Sequence, residues 1–467
     1  MSGRPVHRAP LEAARAVEGP PLSADEARGI LRESLGMAEA EHAEAILEAH
    51  EHSLTRFANN EIHQNVTARD HALTLRVVVG RRAGVASTHR LDSSALRQLA
   101  DRALAIARLS PEDPDLVEPA PPAAVPPLDA FEAETAASTP ESRAEAVGPV
   151  LGSAQRAGLN AAGALSTTSS LLAVANSRGL YASHPETYSN FTCTVRSPNS
   201  SGWVDRHRRD VRSLEVASLG RTAIEKAERS RDPQPVEPGH YTVVLEPAAV
   251  AELVSFLATL GLGAQAELEG RSFMAGRMGQ SITGERVTLA DDPFDPRAFG
   301  KPFDHEGTPR RRAVLVEGGI ARAVVHDRRT AKKAGAESTG HACPPPATEG
   351  PLPYSLVLSG GDRSMEELIA STERGILVTR FWYCRVVDPK KTIVTGITRD
   401  GTFLIERGRL VRGFRNLRFN ESVLEVLRRA DGWGRELEPT VFDYVNNCVV
   451  APALRVPEFN FTGVSPF

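Results

Sequence analysis

Residues 303–342 read FDHEGTPRRRAVLVEGGIARAVVHDRRTAKKAGAESTGHA, and the fold of the second half of the chain turns on how they are read. The stretch opens on an acidic turn, Asp304-His305-Glu306-Gly307, closed by Pro309. Two apolar, strand-like runs follow at 313–317 and 320–326, with Gly318-Gly319 between them. A two-residue Gly-Gly link between such runs predicts a hairpin, because the turn needs positive φ at both central positions. A short basic helix is then expected over 328–334, stopped by Gly335, which takes the left-handed cap conformation without strain. The stretch ends in a loop of small and polar residues, Ser338-Thr339-Gly340-His341.

Working outward, the whole chain has 467 residues, more than one ordinary core accommodates, so two domains are expected. Hydrophobic residues at 41% and charged residues at 24% are an ordinary soluble composition. The net charge of −4 gives no electrostatic reason to expect nucleic acid or an anionic membrane as a partner. Basic runs at 206–209 and 310–312 have acids nearby and read as solvated faces. No apolar run is long enough to span a membrane. Residues 1–22 lack the apolar centre of a signal peptide and read as a frayed, disordered tail. The cysteines Cys193, Cys343, Cys384 and Cys448 are widely spaced and form no CxxC pair, which fits a reduced, cytoplasmic protein.

Ser23-Ala24-Asp25-Glu26 forms a capping box for a helix to about 35. Strands are expected at 43–55, 64–79 and 85–88, then a helix at 93–108. Residues 110–127 contain seven prolines and make a stiff connector. Thr139-Pro140-Glu141 opens a helix with Pro at the tolerated first position. Strands at 161–169, 173–176 and 186–196 and a helix at 210–230 complete an N-terminal α+β domain over 23–231. A Pro-rich link leads into a C-terminal β-rich domain over 239–467. There a strand is expected at 241–245, a helix from Pro247 to about 260, and a helix capped by Ser364 that ends at Gly375. Strands follow at 376–384, 392–399, 402–406 and 409–414, with Asp400-Gly401 and Arg407-Gly408 as hairpin turns. A helix at 420–429 precedes a final strand near 447–450. The expected fold is therefore α+β: an N-terminal sheet with packed helices, and a C-terminal domain of mostly antiparallel sheet with a few helices.

The order of motifs in 303–342 resembles that of the TldD/PmbA family, whose members carry an acidic turn, a strand hairpin, a short helix and an S/T-T-G loop. Here these are Asp304 to Gly307, Val314 to Gly318, Asp327 to Gly335 and Ser338 to Gly340. Two further blocks share the resemblance: Arg56-Phe57-Ala58-Asn59-Asn60-Glu61-Ile62-His63-Gln64-Asn65 near the start, and the turn Ala175-Asn176-Ser177-Arg178-Gly179. The three blocks come in family order and span most of the chain.

The resemblance implies specific chemistry. The TldD branch carries a helical His-Glu-x-x-x-His motif in the first helix of the second domain, and a cysteine near the C-terminus completes a zinc site. Two imidazoles and a thiolate hold the metal, a fourth position stays open for water, and the Glu takes its proton. In this chain the corresponding helix reads Ala251-Glu252-Leu253-Val254-Ser255-Phe256. Glu252 keeps the acid position, while Ala251 and Phe256 stand at the two histidine positions. No histidine occurs anywhere from 241 to 297, so this difference survives a shift of register. Cys448 stands at the ligand-like cysteine position. A lone cysteine is ordinarily a small core hydrophobe, and an acid on an amphipathic helix is ordinarily solvated.

Other constellations are weaker. His305-Glu306 has no second histidine at zincin spacing, and Pro309 forbids a helix there, so the pair reads as turn-stabilising. His50 and His52 can share a strand face, with His42 nearby, and surface placement is the ordinary reading. Ser338, Thr339, Gly340 and His341 lie in a loop and are the substrate-binding candidates. The expectation is a PmbA/TldE-like subunit of a peptidase complex acting on unfolded or modified peptides. It would hold no cofactor of its own, zinc being carried by a TldD-like partner in a heterodimer, or the chain would pair with itself. A self-sufficient divergent metallopeptidase or other hydrolase acting as a homodimer and a non-proteolytic peptide-binding module are the alternatives. The terminal aromatics Phe459, Phe461 and Phe467 are expected to dock on their own domain or on a partner.

Overall fold

The computed structural model describes residues 19–442 and 447–465. Most of the frayed tail expected over 1–22 lies outside the described residues, as does Phe467. The fold is α+β, with one sheet in each half of the chain. Among the described residues no helix is long and apolar enough to cross a membrane.

The first half is built from one unit used twice. The first copy comprises α1 (Ala24–Met37), β1 (His42–Ala58), β2 (Glu61–Val79), β3 (Arg82–Thr88) and α2 (Ser93–Leu109). After the proline-rich connector and a single turn, α3 (Ala133–Ala136), comes the second copy. It comprises α4 (Pro140–Arg156), β4 (Asn160–Asn176), β5 (Tyr181–Ser197), β6 (Ser200–Arg208) and α5 (Val216–Arg229). The six strands form one antiparallel sheet in the order β3-β2-β1-β4-β5-β6, so the copies meet through β1 and β4. The capping box of α1 forms as its sequence demands, with Ser23 and Glu26 each accepting the other's backbone N–H.

Two apolar clusters cover one face of this sheet. Leu31 of α1 and Leu96 and Leu99 of α2 pack on Leu47, Leu73 and Leu75. Val147 of α4 and Ile224 of α5 pack on Phe57, Leu165 and Phe191. Each edge strand meets its helix at a glycine. A Cβ on Gly84 would fall 2.1 Å from the Ala103 carbonyl of α2, and one on Gly202 would fall 2.1 Å from the Ala223 carbonyl of α5. On the opposite face, Ile46, Leu172, Val174 and Ala182 pack against Phe303, the first residue of the organising stretch.

The second half contains β7 (Gly239–Leu245), α6 (Pro247–Gly261), α7 (Ala264–Leu268), β8 (Leu289–Asp291), β9 (Ala313–Glu317) and β10 (Ile320–Ala321). It continues through α8 (Arg328–Ala334), β11 (Ser355–Leu358), α9 (Met365–Ala370), β12 (Arg374–Asp388), β13 (Ile393–Glu406) and β14 (Arg409–Gly413). It ends with β15 (Leu417–Ser422), α10 (Val423–Arg429), β16 (Gly432–Phe442) and β17 (Asn447–Val464). The sheet runs β10-β9-β8-β11-β17-β15-β13-β12-β7, and β7 pairs back onto β17, so five strands close on themselves. Phe381, Phe419, Phe459 and Phe461 form one aromatic cluster within this domain's core, with Phe381 and Phe419 centroids 4.4 Å apart. Phe459 and Phe461 are thus core residues of their own domain.

Several local expectations are corrected. Asp400-Gly401 does not turn the chain. Both lie inside β13 at positive φ, and the register slips between Val378 and Arg380 of β12, so the pair is a bulge. A strand over 320–326 shrinks to Ile320–Ala321, because the following backbone N–H groups go to Leu315 and Leu262 instead of a ladder. The Ser364-capped helix ends at Ala370, and Gly375 belongs to β12. Residues 417–422 are strand, and the helix begins only at Val423. Strands β6 and β16 were not expected: each carries glycine and charge, and pairing with β5 and β17 decides them. The basic runs are not simply solvated. Arg206 and Arg208 both reach Glu438 in the other half, and Arg310 is 4% exposed.

The glycine contact is testable. Gly202→Ala should lower the unfolding free energy by about 3 kcal/mol, because the new methyl meets backbone that cannot step aside. Gly148→Ala in α4, where a Cβ meets nothing within 4 Å, should cost nothing. Urea denaturation of the two variants checks this.

Candidate functional site

Helix α6 is where the family resemblance puts the metal ligands. Pro247 at its first turn starts it without wasting a hydrogen bond. Most of its residues are buried, and it lies against β12, β16 and β17. Ala251 has no exposure and Phe256 packs against the same core cluster. A methyl and a phenyl ring offer no lone pair, so these positions do not fit a metal.

Glu252 is half-buried, not solvated, and burial pushes its carboxyl up to about 7, against the pull of the Cys384 thiol and Arg380. The thiol beside Glu252 is therefore that of Cys384 on β12. Cys448 belongs to a separate apolar cluster with Ala298 and Val450, and burial pushes its thiol up to about 12. A metal-binding thiolate needs the opposite shift. The ligand-like cysteine is thus not brought to Glu252. Among the described residues no three His, Cys, Asp or Glu side chains are grouped to hold a metal ion.

The organising stretch forms a second, more polar centre. Asp291, the last residue of β8, has no exposure. Arg310 Nη2 donates to its Oδ1 at 2.6 Å, and His341 Nε2 lies 2.9 Å from the same oxygen. The N–H of Ser355, opening β11, donates to its Oδ2 at 2.8 Å. Burial alone would raise this carboxyl, but Arg310 and His341 hold it well below the usual range. Asp304 in the acidic turn is shifted the other way, burial pushing its carboxyl up, and it is met by backbone alone: its Oδ1 accepts from the N–H groups of Glu306 and Thr308, and its Oδ2 from that of Ala342. The turn is therefore closed chiefly by Asp304, with His305 3.2 Å from the Ala342 carbonyl.

The loop expected to meet substrate turns inward. His341 has no exposure, with Nδ1 2.9 Å from the Thr339 carbonyl. Thr339 binds the His326 carbonyl, and Gly340, at φ +73, is packed on Pro309. Only Ser338 keeps partial access to solvent. His52 lies 2.8 Å from Thr168 and His50 is exposed on the same strand, while His42 begins it. None of the three joins either centre.

Beside the acidic turn lies a cavity of about 780 Å³ between the two halves, lined by Glu44, Arg76, His305, Glu306, Asp327 and Cys343 among others. Burial and the charges of Asp304, Glu44 and Asp327 push the Glu306 carboxyl well up. Sequence reasoning missed Asp291, Arg310, Cys384 and this cavity. No motif marks them, because their partners lie far away along the chain.

Models of three domains match the chain: PmbA/TldA metallopeptidase domain 1 over residues 43–107, the central domain over 118–231 and the C-terminal domain over 238–463. A metalloprotease of Methanothermobacter thermautotrophicus is 30% identical over 228 residues, covering 48% of this chain and 49% of that protein. The chain thus spans about half the length of this curated relative. A metalloprotease PmbA homologue of Haemophilus influenzae is 25% identical over 370 residues, covering 75% and 78% of the two chains. The crystal structure of TldE from Thermococcus kodakarensis superposes with a TM-score of 0.85 at 22% identity, over 94% of this chain and all of that one. At that identity the likeness establishes the fold.

Two outcomes follow from these centres. Asp291→Asn should cost about 3–5 kcal/mol of stability, since it strips a buried guanidinium of its counter-charge; equilibrium unfolding measures it. Glu252 loses its proton at about pH 7 when folded but near 4.5 when unfolded, so the native state holds the extra proton between those values. Stability from this group therefore falls as pH rises from about 4.5 to 7. Glu252→Gln should remove that slope, and its advantage over wild type should grow across this window and level off above it. Chemical denaturation at a series of pH values checks it.

Proposed function

The chain belongs to the PmbA/TldD metallopeptidase family, and from that premise we propose that it is a TldE/PmbA-like subunit of a two-chain peptidase, itself without the zinc. The observation that carries this reading is helix α6, where Ala251 and Phe256 fill the positions that a metal-binding relative would give to histidine. Both side chains are part of the packing, so the helix keeps its place while losing its donors. Zinc and its activated water would then belong to a TldD-like partner. This chain would complete the chamber in which an extended, unfolded peptide is held, by strand addition that makes no demand on peptide sequence.

One observation favours a second reading, a self-sufficient hydrolase. Glu252 is held near pH 7, where a carboxyl serves well as a general base. Its polar neighbours are the Cys384 thiol and Arg380. The subunit reading explains more of the helix.

A single experiment separates the two. The purified chain should carry well under one zinc per chain by elemental analysis, and should cleave unfolded peptides only after mixing with a metal-bearing TldD-type subunit. Glu252→Gln should leave the mixture's activity within a few-fold, whereas removal of a general base costs roughly 10²–10⁴-fold. About one tightly held zinc per chain, or activity of the chain alone that Glu252→Gln abolishes, would overturn the subunit reading.

A further inference from the structure

We propose that the outer edge of β12 over residues 380–388, centred on Trp382 and Tyr383, is the docking surface for an acidic, extended strand of a different polypeptide chain. Resting on the subunit reading above, the occupant is a segment of the metal-bearing partner.

The edge is open by construction. β12 pairs with β13 along most of its length, but with β7 only at Ile376, Leu377 and Val378. β7 ends at Leu245, and the chain then turns into α6. From Arg380 onward no strand among the described residues pairs on that side. A strand with free N–H and C=O groups is a template for another chain, and proteins ordinarily blunt such edges. This one is bulged and carries Arg380, Arg385 and Asp388, yet it also exposes a run of large apolar side chains. Trp382 is 41% exposed, Tyr383 68%, Val386 39% and Val387 54%. Four of the eleven exposed large hydrophobics of the described residues thus fall within one six-residue segment.

The aromatic side chains are also held in place. Tyr383 has φ +54 in a bulge between Trp382 and Arg385. That conformation is uncommon for a bulky residue, and it aims the ring outward. The Tyr383 ring meets Trp382 edge to face at 5.9 Å, and the Arg385 guanidinium lies over it. Arg380 stacks between Trp203 and Trp382, at 4.3 and 4.9 Å from their centroids. Trp, Tyr and Arg carry most of the energy of protein interfaces, and pre-positioned rings lose little entropy on binding.

Charge selects the occupant. Arg385 and Lys390 of this edge have no carboxylate within ion-pair distance among the described residues, nor does Arg418, which aligns with Trp382 across Ile397. The chain as a whole is acidic at −4, so the patch opposes the average. A second copy laid edge to edge would bring the same excess of positive charge to this edge and no complement to it. A strand bearing carboxylates complements them, and electrostatic complementarity of this kind governs partner choice and association rate.

The test uses the full chain and a purified metal-bearing TldD-type subunit from the same genome, with affinity measured by calorimetry. W382S/Y383S should weaken the complex at least tenfold with an unchanged thermal melt, since both residues are exposed. R385E/K390E should weaken it and flatten its salt dependence. V66S, on another exposed strand, should leave it unchanged. A photoreactive benzoylphenylalanine at position 383 should cross-link to an Asp- or Glu-bearing segment of that subunit, which keeps the test valid if a serine variant misfolds. A complex that forms normally with W382S/Y383S, and no cross-link from 383, overturns the surface while the subunit reading stands. Absence of any complex with the wild-type chain overturns both. Loss of a self-dimer in W382S/Y383S assigns the edge to a second copy and overturns the choice of occupant.

Discussion

The buried carboxylate of Asp291 is the constraint on which the second half of the chain depends. A charge with no access to water must be met by partners, and those of this acid on β8 come from three places: Arg310 beyond the acidic turn, His341 at the end of the loop, and the backbone of Ser355 at the start of β11. Displacing any of them leaves a charge or donor unsatisfied in the interior, which costs more than the bond itself contributes. Asp304, further along the chain, is buried too and is met by three backbone N–H groups around one carboxyl. Together the two acids join both ends of the stretch 303–342. The family's recurrent motif is thus, in this chain, first of all a structural knot.

That knot also sets the relation between the halves. Phe303 enters the apolar cluster on the open face of the first sheet, and Lys301 reaches Glu186 of β5 at 2.6 Å. Arg329 of α8 meets Asp113 of the proline-rich connector at 2.7 Å. The cavity beside Glu306 lies in this seam, with walls from the first sheet and the connector on one side and from α7, α8 and the acidic turn on the other.

In helix α6 two side chains that carry no lone pair, Ala251 and Phe256, sit in the core packing. Its register against the sheet is set by a nearly continuous apolar surface, and alanine and phenylalanine join that surface as readily as histidine would leave it. Glu252 keeps a half-buried position beside Cys384, where burial alone accounts for its raised carboxyl.

Much of the fold was legible from local chemistry. The capping box at Ser23, Pro247 at a helix start, the Gly318-Gly319 turn and the Gly335 cap all act within a few residues, and each formed where it was read. The absence of histidine from 241 to 297 was likewise a property of the sequence alone. What tertiary structure decided were the long-range pairings. Asp400-Gly401 has the residues of a hairpin turn, yet its partner strand runs past it and makes it a bulge. β6 and β16 lack strand-like patterning and exist because β5 and β17 offer them ladders. His341 looked like a loop residue available to substrate, and its burial came from Asp291, fifty positions earlier. Local propensity fixes what a few residues do with their own backbone. Which groups are withdrawn from water, and therefore which must be paired, is settled only when distant segments meet.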